Sequence, residues 1–252
     1  MLSRPSVCIS KMYFLSILLT TNLFIQIEPA ELPRYLPRCY QDDPNISDCF
    51  ISAANSLNEN VRSGISEIGL RPLDSFVSPD FNLTLESPIS DVYVAFKRFT
   101  LYQVHSYRFT TADVRPKDGV LEGQVMLSEL GMSANFEAQG HVVGVALNGL
   151  GYGRIGLENV ACDFSIKWPK EGTCNELNLE ISCKIEDLKV SNITGLPGAD
   201  SIRAVLNLSS QLIASEAAPA CSSIFQALLK SYLRRLCRQY AFNDLFPMNQ
   251  NA

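Results

Sequence analysis

The chain has little charge. Asp, Glu, Lys and Arg make up 19% of its 252 residues, and their balance is −5. Without a basic excess there is no electrostatic footprint for nucleic acid or for an anionic membrane surface, so neither is expected as a partner. Histidine occurs only twice, as His105 and His141, both in strand-like context and read as surface or turn residues. No His/Cys/Asp/Glu grouping has the spacing of a zinc site. The serine nearest to a hydrolase nucleophile lies in Gly131-Met132-Ser133-Ala134-Asn135, where Asn135 replaces the second glycine and no strand-to-helix turn is evident. Gly149-Leu150-Gly151-Tyr152-Gly153 lacks the following helix and lysine of a phosphate loop, so it reads as a bend in a sheet. These absences predict no catalytic residue, no metal and no cofactor. Little supports a secreted esterase.

Long apolar runs are also scarce. One occupies residues 12–27, behind the basic Arg4 and Lys11, and reads as a secretory signal peptide spanning residues 1–30. The rival, an uncleaved anchor, fits less well because the run is shorter and more polar than the roughly 20 apolar residues of a spanning helix. No other segment is expected to cross a bilayer, so no stable membrane insertion is predicted. Residues 31–252 then form a single secreted, extracellular domain, and 46% apolar composition gives it a sizeable core.

Export agrees with two further features. Sequons occur at Asn45, Asn82, Asn192 and Asn207. Asn45, Asn82 and Asn192 are the expected glycosylation sites, whereas Asn207 falls on a helix whose glycan must point away from the sheet. Of eight cysteines, Cys8 leaves with the signal, and the remaining seven are an odd number. Cys39 and Cys49 enclose a short loop and are expected to bond, tying down the N-terminus. Cys183, on the apolar face of a strand, is expected to meet Cys221 on a helix. The pairing of Cys162, Cys174 and Cys237 stays open.

The dominant element is residues 201–240, whose apolar positions keep the three-and-four spacing of an amphipathic helix. A helix of that length spans about 60 Å and has to be covered along its length. Pro219 predicts a kink or break. Arg234, Arg235 and Arg238 suit the negative end of the helix dipole. A first helix starts at Ser47, a good N-cap, carries Phe50, Ala54, Leu57, Val61 and Ile65, and ends at Gly64 or Gly69. Between about residues 81 and 190 the period changes to alternation, predicting strands over 92–96, 99–107, 107–114, 120–127, 132–138, 142–147, 154–168 and 177–190. Short connections make them antiparallel. The fold class is α+β: a long C-terminal helix wrapped by a strongly curved antiparallel β-sheet, with recurrent glycines permitting the curl.

Taken in order, Cys39 and Cys49, Gly64-Ile-Ser-Glu-Ile-Gly-Leu-Arg-Pro-Leu-Asp74, Phe136-Glu-Ala-Gln-Gly140, Leu147-Asn-Gly-Leu-Gly-Tyr-Gly153, Leu206-Asn207 and Asp244-Leu-Phe-Pro247 resemble the insect juvenile-hormone-binding and takeout proteins over nearly the whole mature chain. The resemblance implies an internal hydrophobic tunnel that carries a juvenile-hormone-like terpenoid or a fatty-acid-like lipid in a haemolymph-like fluid. Two departures stand out. Leu208-Ser209 follows Leu206-Asn207 where the family commonly has Asn-Trp, and the cysteines exceed the usual count.

A carrier needs an apolar cavity with few polar groups. Phe136 on one run, and Val143, Val145 and Leu147 on the next, alternate on single strand faces, while Phe225, Leu229 and Tyr232 share a helix face. These seven are the expected ligand-binding residues, with the Tyr232 phenol able to donate to an ester, epoxide or carboxylate. The competing non-enzymatic reading is a secreted interaction or signalling protein, acting through a receptor, whose bound lipid is structural.

Overall fold

The computed structural model describes residues 32–78, 80–169 and 174–249. The expected signal peptide, residues 1–30, lies outside them. Eight strands form one antiparallel sheet: β1 (Ser75–Val77), β2 (Phe81–Ser87), β3 (Ser90–Tyr102), β4 (Tyr107–Arg115), β5 (Val120–Val142), β6 (Val145–Ala146), β7 (Gly149–Lys167) and β8 (Asn178–Thr194). The helices are α1 (Ile46–Ser56), α2 (Asn58–Ser63), α3 (Ala199–Leu208), α4 (Ser210–Gln239) and α5 (Phe242–Leu245).

The centre of the sheet is β5. It pairs with β7 from Val120 to Ala138, and its other edge takes β4 and then β3, placed end to end. β8 closes the far side of β7, while β1 and β2 lie outside β3. A strand as long as β5 would reach about 75 Å if straight, so the sheet has to bend to close a core. It bends along a line through Ser128, Asn159 and Glu186, where the pairing of β5, β7 and β8 is interrupted. On each strand two successive residues face outward there. The buried neighbours on either side therefore stand three apart: Leu127 and Leu130, Leu157 and Val160, Ile185 and Leu188. Asn159 adopts a positive φ of 50° and donates from Nδ2 to Glu186 Oε2 at 2.6 Å, fixing the outer side of the bend.

Several expectations change. The predicted runs 120–127 and 132–138 are parts of the single strand β5. The run 142–147 is a hairpin, because Val143 has a φ of 51° and Gly144 follows it, leaving β6 only two residues. The first helix divides at Leu57 and ends at Gly64, where a Cβ would stand 2.8 Å from Pro72 N. Ser47 does not cap it; its hydroxyl accepts the Val114 N–H of β4 at 3.1 Å. The long helix divides at Ser209, and α4 runs unbroken through Pro219. Pro219 is exposed, so water can serve the carbonyl it leaves without a donor. Contrary to expectation, α4 is long and apolar enough to span a bilayer by length and composition. A span there would strip the sheet of the polar contacts described next.

The edges at β8 and β4 are served by helix side chains. On β8, Asn207 Oδ1 accepts the Val190 N–H at 2.7 Å and its Nδ2 donates to the Val190 carbonyl at 3.1 Å. Ser222 Oγ accepts the Cys183 N–H at 2.9 Å, and Gln226 Oε1 accepts that of Ile181 at 3.3 Å. On β4, Asn55 makes the same two-way pair with Phe109, at 2.8 and 3.0 Å, and Asn58 donates to the Tyr107 carbonyl at 2.9 Å. Free edges invite pairing with other chains, and these amides block it. Asn207 is thus engaged by the sheet, while Asn45 and Asn82 are exposed and Asn192 is half-buried.

Cys39 is bonded to Cys49, with Cα atoms 5.7 Å apart. The expected Cys183–Cys221 bond is absent. Cys183 is bonded to Cys162, which stands directly opposite on β7 with a Cα separation of 4.0 Å, and the nearer partner wins. Cys174 joins Cys237 on α4, leaving Cys221 as a buried thiol that burial pushes up to about 12. In the folded protein at mildly alkaline pH, Cys221 is therefore expected to resist alkylation, with one thiol titrating after unfolding. Replacing Asn207 with Leu leaves the Val190 N–H and carbonyl without partners, and urea unfolding should show a loss of about 2–4 kcal/mol.

Candidate functional site

The inward faces of β5, β7 and β8 and the inward stripe of α4 enclose the core. Its packing is uneven. Along α4 the residues Ile213, Ala214, Ala218 and Cys221 are buried, and the next buried residue is Leu233, three turns on. Between them Phe225, Leu228, Leu229 and Tyr232 stay only half-buried. The sheet matches this strip. Val125 is half-buried between the buried Leu121 and Leu127 on the same face of β5, and Ile181 is half-buried between Leu179 and Cys183 on β8. Apolar surface left uncovered forgoes both the transfer gain and the dispersion contacts of a close-packed interior.

The expected ligand-binding residues are divided among three apolar clusters, and only Phe225, Leu229 and Tyr232 lie on this strip. Phe136, Val143, Val145, Leu147 and Phe225 pack against one apolar cluster, built on Leu101, Leu130, Leu157 and Val160. Leu229 belongs to a second, with Phe164, Leu179 and Leu233, and Tyr232 to a third, with Val61, Ile65 and Tyr240. The sheet residues chosen from sequence thus sit at one end, while the helix residues run past all three clusters. Val125 and Ile181 join the first two clusters. Sequence reasoning missed both, since nothing in a regular alternation marks one inward position as less covered than the next.

Phe136 has a particular seat. It stands opposite Gly151, and a Cβ added there would lie 2.6 Å from Phe136 Cζ and 2.6 Å from the Thr194 carbonyl. At Gly153 the corresponding distance to Phe136 Cε1 is 3.4 Å. The glycine-rich run therefore lies within a regular strand whose inward face is bare, and the ring lies over it. This corrects the expected bend. Beside that run an open recess of ≈ 390 Å³ is lined by Lys97, Asn135, Phe136, Leu150, Gly151 and Tyr152. A second open recess lies on the outward face of α4 among Lys230, Arg234, Arg235 and Arg238. Neither recess is the interior strip.

Chemical groups in the core are few. Burial, and then the neighbouring Tyr240 phenol, push the Tyr232 phenol up to about 12, so it remains a neutral donor at any physiological pH. Its hydroxyl has no protein hydrogen-bond partner among the described residues. Ser133 is buried in mid-strand with its hydroxyl 3.0 Å from that of Tyr102, not beside an imidazole. His141 is exposed, and His105 lies in a short 3-10 turn, 3.6 Å from Asp74 Oδ1. Among the described residues no group of three or more His, Cys, Asp or Glu side chains could hold a metal.

Replacing Gly151 with Ala should push the Phe136 ring off its track. The expected outcome is destabilisation of about 1–3 kcal/mol by urea unfolding, recovered in part when Phe136 is also changed to Leu.

No curated protein matches the sequence. Among solved structures, the crystal structure of Epiphyas postvittana Takeout 1 matches with a TM-score of 0.68, covering 84% of this chain and all of that one at 13% identity, which establishes a shared fold. A lipopolysaccharide binding protein aligns over 78% of this chain and 38% of that one at 14% identity, but its TM-score of 0.30 carries no argument. A family model described as haemolymph juvenile hormone binding protein matches residues 14–247. With nearly the whole chain inside that match, the protein belongs to the haemolymph juvenile hormone binding protein family.

Proposed function

We propose that the protein is a secreted carrier that holds one elongated apolar molecule between α4 and the curved sheet, and that it catalyses nothing. The observation that supports this most is the strip of half-covered apolar side chains from Phe225 to Tyr232, faced by Val125 and Ile181. An alkyl or isoprenoid chain fills such a strip at a gain of about 0.8 kcal/mol per methylene, so a chain of about fifteen carbons gains about 12 kcal/mol, enough to reach micromolar affinity after about 4 kcal/mol of binding entropy is subtracted. The family is named for hormone binding, which favours a juvenile-hormone-like terpenoid or a fatty-acid-like lipid as cargo. Phe136, Val143, Val145 and Leu147 would then close one end of the site, with Phe225 and Leu229 along its wall.

A length series tests this. Saturated probes of increasing chain length should bind progressively more tightly up to a limit and then cease to improve. Val145→Phe and Phe225→Trp should lower that limit while the unfolding midpoint stays near that of the unaltered protein. Unfolding of both variants, together with failure of every probe to bind the native protein, would show that the space is a packed core.

A further inference from the structure

At the C-terminal end of the strip several polar groups sit in apolar surroundings without protein partners. Tyr240 is 2% exposed, packs with Val61 and Ile65, and its hydroxyl makes no hydrogen bond among the described residues. Tyr232 packs in the same cluster and is likewise free at its hydroxyl. Tyr107 is not, because its phenol donates to the Ala54 carbonyl at 3.0 Å. Asn58 opens α2, one turn before Val61 of the same cluster. Its Nδ2 donates to the Tyr107 carbonyl at 2.9 Å, which fixes the orientation of the amide and turns Oδ1 the other way. That Oδ1 is buried and receives no donor from the protein. The cluster therefore offers two phenols that can donate and one buried amide oxygen that can only accept.

Resting on the carrier reading, we propose that Tyr232, Tyr240 and Asn58 form the polar end of the ligand site. Their preferred head group both donates and accepts a hydrogen bond: an alcohol, or a carboxyl group in its protonated form. The chemistry follows from donor and acceptor count. An ester or an epoxide can accept from a phenol, but it carries no hydrogen for Asn58 Oδ1, and that oxygen would stay buried and unpaired. A hydroxyl satisfies both sides at once. An ionised carboxylate would set negative oxygens against Oδ1; the phenols favour it, and so does the Arg235 charge that acts on Tyr232, but that guanidinium is exposed and already donates to the Gly69 carbonyl at 3.3 Å. This refines the expectation drawn from Tyr232 alone, which admitted ester, epoxide and carboxylate alike. A site built to bond a hydroxyl discriminates strongly against an analogue lacking it, because the loss falls on the protein's own unpaired group. His105 Nδ1, on the turn Val104–Ser106, is also buried without a hydrogen bond. A water joining it to Asn58 is the rival account, and under that account head-group chemistry is not read here.

The test is competitive displacement of a fluorescent lipid by four probes of one chain length: the primary alcohol, the methyl ester, the carboxylic acid measured above and below its ionisation range, and the alkane. The unaltered protein should bind the alcohol about tenfold or more tighter than the ester, and the acid more tightly when protonated. Asn58→Leu should erase the alcohol's advantage while leaving the ester unchanged, and Tyr240→Phe or Tyr232→Phe should weaken alcohol and ester together while sparing the alkane. Equal binding of alcohol and ester by the unaltered protein, which needs no variant to fold, overturns the proposal. Tightest binding by the ionised acid overturns it as well and assigns the head group to a cation such as Arg235. If all four probes bind equally, the alkane included, the carrier reading stands and only this inference fails. If none binds, both fail.

Discussion

The constraint on which the structure depends is the pair of free edges left by a long, bent sheet. Backbone N–H and carbonyl groups on β4 and β8 would otherwise be open to other chains. The sequence answers with short polar side chains on helices: Asn207, Ser222 and Gln226 along β8, and Ser47, Asn55 and Asn58 along β4. At the far end of α4, Glu216 accepts from the hydroxyls of Ser87 and Ser90 on the β2–β3 hairpin. These bonds do more than protect an edge. Those from Ser222, Gln226 and Glu216 fix the position of α4 against β8 and the β2–β3 hairpin, with Phe225, Leu229 and Tyr232 left half-buried. A helix packed only by apolar contacts would settle until that surface was covered.

The bend has the opposite character, because its inward side chains are buried. Leu130 and Val160 are fully buried, and Leu127, Leu157, Ile185 and Leu188 surround them. Full burial at the bend contrasts with the half-burial along the middle of α4. The three disulfides lie outside the half-covered strip or beside its end. Cys162–Cys183 ties β7 to β8, Cys174–Cys237 ties the last turn of α4 to the chain after β7, and Cys39–Cys49 secures the approach to α1.

Much of this was legible from the sequence, and the misses have physical causes. Period and length gave the long helix and the alternating segments, because both patterns persist over many residues. The curl was attributed to glycines, yet the bend passes through Ser128, Asn159 and Glu186. Its signal was present as a lapse from two to three in the spacing of apolar residues, at Leu127 and Leu130, Leu157 and Val160, Ile185 and Leu188. Each lapse alone resembles noise, and only the register of three strands aligns them. The partner of Cys183 was misjudged for the same reason, since neighbouring strands cannot be registered from one sequence. Tyr232 stands out in the sequence as a phenol on the apolar helix face, whereas nothing in the sequence marks Asn58. The burial of its Oδ1 depends on α2 folding against a turn nearly fifty residues away.

The central claim is that the interior beside α4 is a space for a ligand and not a loosely drawn core. Native mass spectrometry of the protein recovered from a eukaryotic secretion system tests it most directly. The account predicts a folded protein carrying one apolar molecule, which organic extraction removes while the fold survives, and which added lipid restores in a one-to-one complex. A folded protein that carries nothing and takes up no lipid would contradict it.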